Sequence, residues 1–442
     1  MAKNSNLTDF LTDVADAIRE KEVSSEAINP QDFVAKIRSI AGLPDVDKVT
    51  HNELDAFLTD VANTLREARG TSEPINPQAF SARIASLETR VQSWIIINQT
   101  ISSPTLMVSG DVNGIAIRLI RKNSHRYLCK KLAEGEMAIC QLSDEDSTKY
   151  ADGSTADLSG LEGDVFMRLP KFGYTIEEIE TDVYRVGFSY GEVPEGWREW
   201  SGNELIGVYE AYASSSKLYS VSGVASSGNL IYGNFIQYAT NRGKGYKIVS
   251  IQQHNMMALL YLALYGNTNC QDVVGYGTEP DKRTGQTDLL GMEDTSAAIN
   301  GNSQSINFWG LENWWGNKFE AISNVEYLRG ELTINGETKY SLPATSNWAW
   351  VTKMSFNNDL VFLPKAYGGS ATTGYCDAWS VTSDTTPNVL RRSMPRNITY
   401  CGVFALMTLS TESKGAAANT GTRLSFIGNI SEIKEVSEFK SL

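Results

Sequence analysis

The N-terminal part of the chain has apolar residues at helical spacing. They recur every three or four positions over a first predicted helix: Phe10, Leu11, Val14, Ala17 and Ile18. This spacing places them on one face. A Ser-Ser-Glu break follows, and "INPQDF" predicts a second helix with Asn29 as N-cap and Pro30 in its first turn. We expect Phe33 and Ile37 to face inward from this second helix.

The same pattern returns 47 residues further along the chain. "FLTDVADAIREKEVSSEAINPQDFVAKIRSI" from Phe10 is matched by "FLTDVANTLREARGTSEPINPQAFSARIASL" from Phe57. A fixed offset of this kind indicates an internal repeat. We therefore predict helical repeat 1 over residues 1–46 and helical repeat 2 over residues 47–90. Each unit can bury little area alone, so we expect it to pack against its copy or against another chain.

From residue 91 the pattern changes to short β-branched runs. "SWIIINQTI", "TLMVSGDV" and "GIAIRLIRK" predict strands, and "EGDVFMRLPKFGYTIEEIETDVYRVGFSY" alternates on either side of a turn. A buried helix is predicted over residues 249–266, closed by Gly266, and another helix over residues 228–243. The fold class predicted is α+β, with a β-rich connecting region over residues 91–163. A domain of many short strands and loops follows over residues 164–442.

Composition and charge narrow the function classes. The formal net charge is −13, which argues against nucleic acid as a partner because phosphate binding needs clustered Lys and Arg. "MAKNSNLTDF" has no apolar core of a signal peptide, and the longest apolar run, residues 256–265, is too short to span a bilayer. We expect the protein to stay in the cytoplasm where it is made until assembly or release.

The sequence motifs point away from catalysis. The five cysteines include no Cys-x-x-Cys pair, and the three histidines have no evident ligand partners. The acidic stretch "LSDEDSTKYADGS" does not have the spacing of a calcium loop, and no phosphate-loop or nucleophile-elbow motif is present. The sequence therefore predicts no enzyme and no cofactor. Calcium stays an open alternative, because backbone carbonyls can hold it without leaving a motif.

One segment, "FWGLENWWGNKFEAI" over residues 308–322, combines tryptophans with Gly and Asn. Core packing is favoured over ligand contact for Trp309, Trp314 and Trp315. The "GLENWWGNKFEAI" part resembles a segment of the C-type lectin fold of the formylglycine-generating-enzyme type. With "FLPKAYGGSATTGYCDAW" and the closing "GTRLSF", residues 93–430 resemble bacteriophage tail or receptor-binding proteins of gut phages. The lectin-like domains of those proteins are the variable proteins of diversity-generating retroelements.

The resemblance implies a binding face near the C-terminus. In the genes of the proteins that this chain resembles, mutagenesis templated on adenines varies selected residues within a fixed framework. The framework here would be Gly402, Phe404, Leu406, Leu409, Gly421, Arg423 and Leu424. The ligand-binding residues would be Trp379, Ser393, Met394, Arg396, Asn397, Ile398, Tyr400, Ala405, Met407 and Thr408. Large aromatic, Arg and Met side chains are typical of protein-binding surfaces.

The resemblance also implies a place in the virion. The helical repeats resemble segments that precede such domains in gut phage structural proteins, so they are either a virion-attachment module or a generic helical spacer. The implied function is a tail-fibre adhesin that is made in the bacterial cytoplasm, assembled into the virion and bound to a surface protein or glycan of the host. A homo-oligomer is expected, and a trimer suits a fibre axis.

Two alternatives to the adhesin stay open. One is a structural virion decoration protein without receptor binding. The other is an oxidase of the formylglycine-generating type, whose members hold copper with a nearby cysteine pair. Here Cys376 and Cys401 are 25 residues apart and the other enzyme ligands are not evident, which argues against the oxidase.

Overall fold

The computed structural model describes residues 7–41, 54–69, 74–85, 91–277, 283–296, 305–345, 347–382, 385–392, 402–411 and 416–442. Its helices are α1 (Leu7–Glu22), α2 (Phe33–Ile40), α3 (Leu54–Arg69), α4 (Phe80–Ala85), α5 (Ile115–Lys122), α6 (Tyr232–Thr240), α7 (Ile251–Tyr265), α8 (Cys270–Val273) and α9 (Val436–Ser441). Short 3-10 turns lie at Pro30–Asp32, Pro77–Ala79 and Asp288–Leu290.

Strands are the most common element, and the fold is α+β. The strands are β1 (Val91–Asn98), β2 (Val108–Gly110), β3 (His125–Ala133), β4 (Glu136–Gln141), β5 (Asp164–Arg168), β6 (Phe172–Glu180), β7 (Val183–Tyr190), β8 (Arg198–Trp200), β9 (Glu204–Glu210), β10 (Tyr212–Ser214), β11 (Lys217–Tyr219), β12 (Tyr246–Ile248), β13 (Thr295–Ser296), β14 (Ile306–Phe308), β15 (Leu311–Glu312), β16 (Phe319–Ala321), β17 (Val325–Leu328), β18 (Glu331–Ile334), β19 (Thr338–Ser341), β20 (Ala349–Ser355), β21 (Leu363–Tyr367), β22 (Ala378–Ser380), β23 (Asn388–Arg392), β24 (Leu406–Ser410), β25 (Thr420–Ile427) and β26 (Asn429–Glu432).

The N-terminal helices form a core of their own. Helix α1 packs on α4, and α2 packs on α3. The rings of Phe10 and Phe80 are 6.0 Å apart, and those of Phe33 and Phe57 are 5.9 Å apart. The 47-residue offset converts one pair into the other, so the two contacts are equivalent. The two segments therefore pack against each other reciprocally, and each covers the apolar face that the other cannot bury alone.

Helix α5 lies where the sequence predicted a strand. "GIAIRLIRK" predicted a strand, but residues 115–122 are helical. The buried side chains are Ala116, Ile117, Leu119 and Ile120, which is helical spacing. Helix α5 packs on β1, β7 and α7, and this tertiary contact outweighs the β preference of isoleucine. Its Arg118 Nε donates to Glu22 O at 3.1 Å, which joins the helical core to the rest of the chain.

Two sheets make up most of the remaining chain. The smaller has the order β2-β1-β7-β6-β8, and the larger runs β21-β20-β22-β24-β23-β16-β25-β9-β5-β3-β4-β26 along its main path. Strands on both sides of residue 163 pair within each sheet, for example β1 with β7 and β3 with β5. The boundary predicted at this residue does not separate the sheets, and the domain limits stay predictions.

The predicted buried helix is confirmed as α7. Ser250 and Gln253 form a capping box at its start, and Gly266 ends it in the left-handed region at φ 61°. The second predicted helix is present as α6, which is shorter than the predicted range. Within the described residues, no helix combines the length and the apolar character needed to cross a membrane.

In residues 308–322, turns at Asn positions separate buried tryptophans. Trp309, Trp314 and Trp315 are fully buried, so the prediction of core packing is confirmed. Asn313 and Asn317 have φ of 48° and 57°, in the left-handed region that Asn and Gly tolerate best. The turns at these positions bring the large rings into a single core.

Candidate functional site

The C-terminal candidate residues lie on neighbouring strands at one end of the larger sheet. Strand β22 pairs with β20 and β24, and β24 pairs with β23. Trp379 is opposite Leu406, and Leu406 is opposite Arg392. Residues opposite one another share a face. All three are buried, so this is the inner face of the four strands.

The other face is buried at Ala378, Val389 and Leu409 but half-buried along one row. On it, Ser380 is opposite Met407, and Met407 is opposite Arg391. Trp350 is opposite Ala378, which makes it a diagonal neighbour of Ser380. We call Trp350, Ser380, Met407 and Arg391 the outer row. It crosses four strands, a width of about 14 Å at the usual strand spacing.

Of the predicted ligand-binding residues that the structure describes, only Met407 lies in the outer row. Trp379 is fully buried, and its indole Nε1 donates to Phe404 O at 2.8 Å. Thr408 is buried and accepts from Thr382 N at 3.0 Å, and Ala405 is buried as well. This burial goes against the prediction that these three contact a ligand, because a buried side chain presents no area to a partner.

The other predicted site residues lie outside the described residues: Ser393, Met394, Arg396, Asn397, Ile398 and Tyr400. They stay predictions. The structure does describe both ends of their segment, since β23 ends at Arg392 and the chain is described again from Gly402. Because β23 and β24 are antiparallel neighbours, the described residues that precede and follow this segment belong to adjacent strands.

Buried contacts hold the returning end of this segment. The Asp377 carboxylate accepts from Gly402 N at 2.5 Å and from Phe404 N at 2.8 Å, and Cys270 Sγ accepts from Val403 N at 3.1 Å. We call Asp377 and Cys270 the clamp. Burial raises the pKa of Asp377 to about 7. A side chain at position 402 would clash with Cys270 Sγ, so only glycine fits.

The departing end is held by a buried ion network. Arg392 and Arg423 both donate to the Glu320 carboxylate, with Arg423 Nη2 at 2.7 Å from Oε1. The Arg392 guanidinium also lies 3.4 Å from the centre of the Trp314 ring. These side chains are almost fully buried, as are the other predicted framework residues. Strands β16, β23 and β25 are thereby fixed to the tryptophan core.

An apolar cleft lies elsewhere, between α6 and β12. Its volume is about 790 Å³, and its lining includes Tyr232, Ile236 and Asn324. Two polar groups of its wall have internal partners: Tyr232 Oη donates to Ile322 O at 3.3 Å, and Asn324 Nδ2 donates to Gln252 Oε1 at 2.7 Å. Polar groups with internal partners give little orientation to a ligand.

Metal and thiol chemistry need clustered ligands or an activated cysteine. Among the described residues, no group of three or more His, Cys, Asp and Glu side chains could hold a metal ion. Cys376 is buried, and burial raises its pKa to about 12, which disfavours a reactive thiolate. Cys401, the other cysteine that an oxidase would use, lies outside the described residues.

Sequence reasoning missed Trp350, Ser380 and Arg391. The signal was the strand alternation in "AWS", which puts Trp379 and Ser380 on opposite faces, and in the Arg391-Arg392 pair. It could be used only once the limits of the strands were known. No family model matches the chain, and no curated protein matches it either.

Proposed function

We propose that the chain is a phage virion adhesin that binds a bacterial surface ligand without covalent chemistry. The ligand would contact the outer row and residues 393–400. These would be displayed by a C-type-lectin-like domain of the kind that diversity-generating retroelements vary. The N-terminal helices would be the repeats that attach the protein to other virion proteins, with several copies in one particle.

The outer row is the observation that carries this proposal. It places an indole, a thioether and a guanidinium side by side on a half-buried face. Trp, Met and Arg are enriched at binding interfaces because they offer large area and directional hydrogen bonds. A face of this kind at the end of a rigid sheet is suited to recognition.

The two fixed ends of residues 393–401 add support. Asp377 and Cys270 hold one end, and the Arg392–Glu320 pair holds the other. A segment that is anchored at both ends by buried groups can change its intervening side chains without disturbing the sheet. This is the property that a diversified binding surface needs.

Several copies in one particle would offset a modest affinity of each single site. Linked sites bind with a higher effective concentration than free ones, so avidity can exceed the affinity of each site by orders of magnitude. The N-terminal helices fill their own core within one chain, which leaves their outer surface for contacts with other virion proteins.

Host adsorption by particles carrying Arg396→Ala or Tyr400→Ala tests the proposal. We expect adsorption to fall at least tenfold while particle yield is unchanged. The control variants are Arg198→Ala, an exposed arginine on β8, and Leu161→Ala, an exposed apolar residue before β5. Unchanged adsorption in both test variants would instead favour a decoration protein without receptor binding.

A further inference from the structure

Arg391 has an unusual environment for a cation. Its guanidinium lies 3.9 Å from the centre of the Phe319 ring, and Nη1 donates to Thr420 Oγ1 at 2.8 Å. Its Nε is buried and, among the described residues, finds no acceptor. Two neutral partners hold the side chain in the outer row, beside Met407. The guanidinium is thus positioned but only partly satisfied.

Arg391 has no counter-ion among the described residues. Arg392 and Arg423 share the Glu320 carboxylate, whereas no carboxylate of the described residues pairs with Arg391. Burial lowers the pKa of Arg391 to about 10, so the group is still a cation at neutral pH. A half-buried cation without a counter-ion is costly, and an anionic ligand group would relieve this cost.

The neighbours of Arg391 indicate which class of molecule would supply the anionic group. The outer row is narrow, and beyond Arg391 the sheet continues to Ala321, which is buried. A protein partner usually covers about 800 Å² on each side, far more than one row of side chains. An extended polymer fits a row about 14 Å long. The Trp350 indole can stack on a sugar ring, and the Ser380 hydroxyl can bond to sugar hydroxyls.

We propose, on the basis of the adhesin function proposed above, that Arg391 binds a carboxylate of an acidic bacterial polysaccharide. The guanidinium donates to the hexuronate carboxylate through N–H groups that Thr420 does not engage, while Phe319 and Thr420 hold the side chain in place. Arg391 thus selects acidic polymers over neutral ones.

The test uses the full chain and an immobilised panel of bacterial capsular polysaccharides with defined repeats, some containing hexuronic acid and some neutral. Arg391→Gln removes the charge, Arg391→Lys keeps it, and Arg198→Gln removes an exposed charge elsewhere. Each polymer that binds is also presented after reduction of its carboxyls to alcohols. This arm needs no variant and stays decisive if Arg391→Gln fails to fold.

The expected result is binding to polymers that contain hexuronic acid. It should fall at least tenfold with Arg391→Gln and with carboxyl reduction, less with Arg391→Lys, and not with Arg198→Gln. Binding should also weaken as salt is raised. Equal binding to reduced polymers, or binding to neutral polymers alone, would overturn the inference and leave the adhesin function standing.

A panel without any bound polymer would also overturn the inference. Binding of the chain to whole bacterial cells then tests the proposed function separately. Binding to cells that is abolished by protease treatment of the cells would retain the adhesin with a protein receptor. The absence of binding to any cell would remove both proposals.

Discussion

The clamp residue Asp377 gives the sharpest test of how the candidate binding segment is held. Its carboxylate accepts from two backbone amides, Gly402 N and Phe404 N, at 2.5 and 2.8 Å. Asp377→Asn keeps the shape of the side chain but offers only one oxygen. One of the two buried amides therefore loses its acceptor, which costs about 1–3 kcal/mol.

The effect of this substitution depends on pH. Burial raises the pKa of Asp377 from 3.8 to about 7, so the folded state takes up a proton that the unfolded state has released. The stability of the wild type then falls as pH rises towards 7 and is flat above it. The slope is about 1.4 kcal/mol per pH unit, or about 2 kcal/mol between pH 5.5 and 7. Asparagine does not titrate, so the stability of the variant should not follow this pH dependence. The difference in free energy of unfolding between wild type and variant should therefore narrow by about that amount as the pH rises from about 5.5 to 7.

Urea unfolding at pH 5.5, 7 and 8 measures this gap, with the exposed Asp359→Asn as control. Hydrogen exchange at the amides of Gly402 and Phe404 reports the clamp itself, and the variant should exchange faster at one of them. A gap of the same size at every pH would contradict the buried, proton-binding carboxyl. Unchanged protection at both amides would contradict the clamp.

Three further predictions concern the helical core, the ion network and the gene. Phe10→Ala and Phe80→Ala should each destabilise the helical core by about 3–5 kcal/mol, and in urea unfolding the double variant should lose about 0.5–1.5 kcal/mol less than the sum. Strict additivity would argue against their contact. Glu320→Gln removes the carboxylate to which both buried guanidiniums donate, so the free energy of unfolding should fall by about 3–5 kcal/mol, and a loss below about 1 kcal/mol would argue against the network. DNA sequencing around the gene should find a reverse transcriptase and a near-copy of the segment encoding residues 391–424 that differs at adenines; finding neither would leave diversification without support.

Elements with strong local signals could be predicted from the sequence. The buried helix α7 carries its own start and stop, because Ser250 and Gln253 cap one end and Gly266 the other. The tryptophans of residues 308–322 were also predicted as core. The capping signals depend on residues close together in the chain, and the burial of the tryptophans follows from their large apolar area, so the sequence alone contains this information.

Features that depend on distant partners could not be predicted. Isoleucine-rich α5 looks like a strand until its packing against β1 and α7 is known. Glu320 and Arg423 meet across 103 residues, and no pattern in the sequence links them. The inward direction of Trp379 follows from the register of β22 with β24, which a short strand among Gly- and Thr-rich loops does not reveal.

Direct binding of the purified full chain to a panel of bacterial isolates tests the central claim, that the outer row belongs to a ligand-binding face. We expect the labelled wild type to bind some isolates and not others. Trp350→Ala with Met407→Ala should reduce that binding at least tenfold, while Arg198→Gln should not change it. Equal binding by the wild type and the double variant, or binding to no isolate at all, would contradict the account.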